Sequence, residues 1–184
     1  MSENEKKNIK AFIKEIVPII VGILIAMYIN NWNEDRKDKK YINQIFSSIN
    51  KELAETNIDI TEKLGIHESL IDTVDFYLKN DSTSILEIIR KAEGIKIPSI
   101  RINSWKAISN SKIELIDYEK ISALANIEEQ KEILQIKSEY LLNFLYANTN
   151  ETERSKKELL TILIKDIMVT EKMIQNEIDK NRND

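Results

Sequence analysis

The chain has 184 residues, 32% of them charged and 42% hydrophobic, enough for one domain with its own core plus a short appendage. Three glycines and two prolines are too few for the many tight turns of an all-β protein. The net charge of −4, with both signs interspersed, leaves no basic stripe for nucleic acid, and the lack of cysteine excludes disulfides, thiolate catalysis and thiolate-bound zinc.

Residues 1–10 read as a basic tail. The run that follows is the strongest signal in the chain: Ile16, Val17, Pro18, Ile19, Ile20, Val21, Gly22, Ile23, Leu24, Ile25, Ala26, Met27, Tyr28 and Ile29, without a charge among them. Alone it is shorter than the roughly 20 residues needed to cross a bilayer. Extended over 11–32, it spans about 33 Å, enough for a hydrocarbon core of about 30 Å. Lys14 then lies near one end, where its stem can snorkel to the headgroups. Tyr28 and Trp32 form an aromatic interface collar at the other end. The Ile, Val and Leu side chains of the run contribute roughly −3 to −5 kcal/mol to insertion, more than Gly22, Pro18 and the end charges take away. A buried helix of a soluble protein is one alternative. A cleaved signal peptide is another, but it needs small residues before the cut, whereas Ala26 is followed by Met27, Tyr28 and Ile29. A signal anchor fits best. Gly22 and Ala26, one turn apart, are a possible helix–helix contact of the small-xxx-small kind.

The charges flanking the run do not choose an orientation. Lys6, Lys7, Lys10 and Lys14 precede it; Arg36, Lys37, Lys39 and Lys40 follow in the charged segment 33–40. The stretch Glu15 to Glu34, EIVPIIVGILIAMYINNWNE, resembles the opening of an uncharacterised family of short proteins common in Bacteroidetes. That family's members share a Glu-Ile-x-x-x-x-x-Gly-Ile-Leu-Ile-Ala…Asn-Asn-Trp-Asn-Glu segment followed by a helical region. Ser109 to Asp117, SNSKIELID, is similar to a Ser-x-Gly-x-Leu-x-Leu-Ile turn of the same family, with Ser111 where Gly is usual. The resemblance is specific over the first segment and diffuse elsewhere. It implies an inner-membrane protein whose C-terminal part lies outside the cytoplasm. It implies no activity.

Residues 41–180 read as a helical bundle. An apolar stripe runs through Ile42, Ile45, Ile49, Leu53, Thr56, Ile60, Leu64, His67, Ile71, Val74 and Leu78, widened by Phe46 and Tyr77. Its mean step of about 3.6 is the period of a straight α-helix, against 3.5 for a coiled coil. No breaker separates Ile29 from Ile42, so the anchor is expected to run on into this helix. Asn80 to Thr83 reads as a loop. Ser84 and Glu87 have the spacing of a capping box that opens a short helix, with Gly94 as its stop. Ile95 to Asn103, which contains Pro98, is an extended link and at most an edge strand. Ser104 is expected to cap a short helix carrying Trp105 and Ile108, and Asp117 to cap a long one.

The core face of that long helix is Ile121, Leu124, Ile127, Leu134, Leu141 and Leu145, with Leu142 beside it. The segment 148–150 ends it. A last helix carries Leu160, Leu163, Ile164, Ile167, Ile174 and Ile178, and residues 181–184 are expected to form a disordered tail. The expected fold class is therefore all-α: a single N-terminal transmembrane helix continuing into an antiparallel helical bundle.

Catalytic constellations are hard to find. His67 is the only histidine and falls on the apolar stripe, where a packed residue is a far commoner role than a metal ligand. A di-iron bundle needs the Glu-x-x-His motif twice, and Leu64 stands where its Glu would be. There is no glycine-rich phosphate loop. The reading is of a non-enzymatic interaction or structural module without cofactor or metal. Its partners are membrane lipid and either an unidentified protein or a second copy of the chain, and not nucleic acid. The alternative is an extracytoplasmic sensor bundle that binds a small apolar ligand and acts through a partner protein.

Overall fold

The first element is one helix of 74 residues, α1 (Glu3–Phe76), interrupted by neither Pro18 nor Gly65. The structure, a computed structural model, describes residues 3–183, with side-chain surroundings for 12–181. After α1 come α2 (Ile85–Lys91), α3 (Asn103–Ser109), a 3₁₀ turn at Ile113–Leu115, α4 (Tyr118–Asn148) and α5 (Arg154–Asn183). There is no strand among the described residues. The fold is all-α, as the scarcity of glycine and proline implies. Of the expected disordered tail, residues up to Asn183 are helical, and Asp184 lies outside the described residues.

The chain divides into two units, Met1–Gln44 and Ile45–Asp184. The first is the N-terminal part of α1. From Val17 to Ile29 every side chain is exposed, and a Cβ added to Gly22 would meet nothing within 4 Å. This helix is long and apolar enough to cross a membrane, and its most apolar stretch is not buried. Pro18 has no N–H, so the Lys14 carbonyl loses its helical partner. Arg36 lies over the Trp32 ring at 5.3 Å, beside the expected collar.

The second unit holds the core. Ile49, Leu53, Thr56, Ile60, His67, Ile71 and Val74 of the α1 stripe are buried, and Leu64 and Leu78 are half-buried. Leu70, outside the single-file stripe, is also fully buried, because a core-facing helix hides a face wider than one row. In α4 the buried residues are Leu124, Ile127, Leu134, Leu141 and Leu145, whereas Leu142 is exposed. In α5 they include Leu160, Ile164, Ile167, Ile174 and Ile178, with Leu163 half-buried.

Polar and apolar side chains beyond the expected stripe of α5 are buried too: Lys157, Thr161, Met168, Thr170 and Glu171. The reason is that α5 has partners on two sides. From α4, Lys137 Nζ bonds Asp166 Oδ1 at 2.7 Å and Thr170 Oγ1 at 2.9 Å. From α1, Asn57 and Thr61 accept from Gln175 Nε2 at 3.0 and 2.9 Å. Along α1 and α5 the numbering rises on one helix as it falls on the other, so these two are antiparallel. α4 and α5 are antiparallel as well, since only residues 149–153 join them and Lys137, eleven residues before the end of α4, meets Asp166, twelve residues into α5.

Helix ends are closed largely by groups distant in sequence. The α2 capping box forms as expected: Ser84 Oγ accepts from the Glu87 N–H, and Glu87 accepts from the Ser84 N–H. Two further α2 donors, the N–H groups of Ile85 and Leu86, bond the carbonyls of Glu151 and Thr149 in the α4–α5 connection. At the other end, the stop begins one residue before the glycine expected to provide it. Glu93 takes the left-handed conformation at φ 62°, and the Gly94 N–H closes back on the Ile89 carbonyl at 2.9 Å.

Ser104 does not cap α3. That helix starts at Asn103 with Ile102 at the cap position and no local side-chain cap; the carboxylate of Glu52 on α1 takes its place, accepting from both the N–H and the hydroxyl of Ser104. Asp117 stands at the cap position of α4 but makes no capping hydrogen bond. The SNSKIELID segment forms the turn and the 3₁₀ turn that lead into α4.

Two stability changes follow. Leu134→Ala, which empties a buried site, is expected to cost about 2–5 kcal/mol in denaturant unfolding, and Leu163→Ala distinctly less because that side chain is only half-buried. Glu93→Gly is expected to add about 0.5–1 kcal/mol by relieving a left-handed non-glycine residue; a loss on the same measurement would show that the Glu93 side chain contributes more than its backbone costs.

Candidate functional site

The extended segment 95–102 passes along α1 with no strand beside it, so its backbone polar groups need side chains as partners. α1 supplies them from one face. His67 Nε2 lies 2.9 Å from the Lys96 carbonyl oxygen; Asp59 Oδ2 accepts from the Ser99 N–H at 2.6 Å; Thr56 Oγ1 accepts from the Arg101 N–H at 2.9 Å. Glu52 receives Ser104 as described. The four α1 residues recede along the helix as the strap advances, so the strap runs antiparallel to α1. Fifteen helical residues cover about 22 Å, a length that eight largely extended residues match at about 3.3 Å each. The strap is thus pinned at four points along its length.

Pro98 fits this arrangement, since a residue without an N–H demands no partner at that point of the strap. The Lys96 oxygen only accepts, so His67 Nε2 carries a proton.

The other ring nitrogen of His67, Nδ1, faces Glu171 Oε2 of α5 at 3.3 Å, with both side chains essentially inaccessible to solvent. The contact is close enough for an ion pair when Nδ1 is protonated, but it is not aligned as a hydrogen bond. Both carboxylate oxygens of Glu171 therefore lack a hydrogen-bond partner. Buried carboxylates in that condition are uncommon, because desolvation is then incompletely repaid. His67 ties together the strap, α1 and α5. Among the described residues no group of three or more His, Cys, Asp or Glu side chains is placed to hold a metal ion.

One further buried charge closes the same seam. Lys157 of α5 is fully buried and donates to the carbonyls of Tyr77 at 3.0 Å and Asn80 at 2.6 Å, just beyond the C-terminal end of α1. The ammonium adds a second donor to two turn carbonyls that already accept from the N–H groups of Asn80 and Thr83, and it meets the negative end of the α1 dipole. Between Lys157 and the His67–Glu171 contact, α1 and α5 line a groove of about 430 Å³ floored by Ile71 and Met168.

Of the residues singled out from the sequence, His67 and Thr56 are buried on the α1 stripe as expected, with bonding roles that periodicity does not reveal. Trp105 is buried, and its indole N–H donates to Glu128 Oε2 of α4 at 2.8 Å. Gly22, Ala26, Tyr28 and Trp32 belong to the other unit. Lys157 and Glu171 were not foreseen; the only signal is that each replaces an apolar residue on the inward face of α5. Compared with known proteins, the chain matches no family model, no curated protein and no solved structure.

Asp59 makes the strap sensitive to acid. Partial burial works to raise its pKa, but the Ser99 N–H, the Lys63 ammonium at 3.3 Å and the charge of Arg101 outweigh it and hold the carboxyl below its ordinary 3.8. A lowered folded-state pKa means that the unfolded chain binds the proton more readily. The stabilisation is therefore complete above the ordinary value and is lost as pH falls through the folded one. Asp59→Asn is expected to cost about 1 kcal/mol at neutral pH. The wild-type and variant unfolding curves should converge once the pH is below the folded-state value; a difference that persists there would assign the loss to shape and not to charge.

Proposed function

We propose that the chain is a membrane-tethered binding module, with residues 11–32 as the anchor and the helical unit as the part that meets a partner. The observation that carries this reading is the exposed apolar run Val17–Ile29, in a chain whose helical unit has its own buried core. Water would impose a large cost on that run, at about 25 cal/mol for each Å² of apolar surface, and a bilayer removes it. The family resemblance of the Glu15–Glu34 segment favours a bacterial inner membrane with the helical unit in the periplasm. Partner binding, and not catalysis, is supported by large apolar side chains exposed on α4 and α5, among them Ile136, Tyr140, Tyr146 and Ile162. Gly22 and Ala26 offer a route to self-association within the bilayer. The groove between α1 and α5 favours a second reading, an extracytoplasmic sensor bundle that binds a small apolar ligand and acts through a partner protein.

The full chain is expected to sediment with membranes and resist carbonate extraction; release by carbonate would refute the anchor. Alkaline phosphatase fused after Asp184 should be active, and an inactive fusion alongside a working cytoplasmic reporter would reverse the orientation. Replacing Gly22 and Ala26 by Leu should reduce cross-linking in the membrane if the anchor pairs. Equal cross-linking in both forms would move the contact to the helical unit.

A further inference from the structure

The groove on the α1–α5 seam has walls of opposite charge. Glu68 and Asp72 stand one turn apart on α1; Lys165 and Lys172 stand two turns apart on α5. All four are exposed, and none forms an ion pair with the others. The floor is apolar: Ile71 and Met168 are 9% and 8% exposed, and the half-open Val169 completes it. Because the two helices are antiparallel neighbours, the acidic pair lines the α1 wall and the basic pair the α5 wall, with Lys165 near the level of Asp72 and Lys172 beyond that of Glu68.

We propose that this groove binds a small zwitterion of the amino-acid type with an aliphatic side chain. The four charged groups sum to zero. A ligand with one charge is attracted by one wall and repelled by the other, whereas a ligand bearing an ammonium and a carboxylate satisfies both. Its ammonium lies against Glu68 and Asp72, its carboxylate against Lys165 and Lys172, and its side chain descends on to Ile71 and Met168. The volume of about 430 Å³ is near the lower end of the range for small-molecule sites. A hydrophobic floor with a few convergent polar groups is the usual composition of such sites. The inference is independent of the anchor, since every residue belongs to the helical unit.

The test uses the full chain in detergent micelles, with ¹³C-labelled Ile, Met and Val methyl groups observed by NMR. Titration with L-leucine should shift the methyls of Ile71, Met168 and Val169 saturably, with an apparent Kd of about 10 μM to 1 mM, as expected for so small a ligand. Leucinamide, which lacks the carboxylate, and 4-methylpentanoate, which lacks the ammonium, should each bind about tenfold more weakly, the usual loss for one charged hydrogen bond. Asp72→Asn and Lys165→Gln should weaken leucine to a similar degree while leaving the helical circular dichroism unchanged. No saturable shift at these methyls up to about 10 mM leucine, well above the expected Kd, would overturn the site. Equal binding of leucine and both analogues to the wild-type chain would overturn the zwitterion and leave a purely apolar groove.

Discussion

An extended backbone without a neighbouring strand must find hydrogen-bond partners elsewhere, and the rest of this helical unit is arranged around meeting that demand. The strap from Lys96 to Ser104 is held by His67, Asp59, Thr56 and Glu52, all on one face of α1. The last of these also closes the N-terminus of α3, which has no local cap. Through α3 the constraint reaches α4, because Trp105 packs into the core and donates to Glu128. The strap therefore does more than connect two short helices. It links the long helix that precedes it to the helix pair that follows.

The same economy governs the other ends. Lys157 closes the C-terminal end of α1 from α5, and the α4–α5 connection supplies carbonyls to the start of α2. Each bond of this kind fixes two elements together as well as satisfying one. Burying a lysine, a histidine and a glutamate in one seam is costly in desolvation, and Glu171 is only partly compensated. What the seam gains is specificity: an apolar face tolerates sliding of α5 along α1, whereas Lys157, His67–Glu171 and Gln175 set one register. Beside this register lies the groove, so the polar pins also determine which charged residues face one another across it.

The two units differ in how their apolar side chains are distributed. In the helical unit apolar side chains alternate with charge around each helix, and the apolar face finds a protein partner. In the N-terminal part of α1, Val17 to Ile29 is apolar on every side, so no single face of that helix can be satisfied by packing on one neighbour. That contrast within a single helix separates the N-terminal part of α1 from the rest of the chain.

Length, scarcity of glycine and proline, and periodicity were sufficient to establish an all-α chain, the long helix through Ile29 and Ile42, and the rows of core residues in α1, α4 and α5. Those properties are local: a helix and its apolar face depend on residues three or four positions apart. The capping box of Ser84 and Glu87 was legible for the same reason. Tertiary structure decided what local rules do not reach. Ser104 looked like a cap until Glu52, 52 positions earlier, was found in that role. Lys157 and Glu171 carry no local signal of their roles because their partners, the carbonyls of Tyr77 and Asn80 and the ring of His67, lie 77 to 104 positions away. The facing of Glu68 and Asp72 against Lys165 and Lys172 was equally invisible, since it depends on the register of two antiparallel helices, and that register is set by side chains meeting in space and not by spacing along the chain.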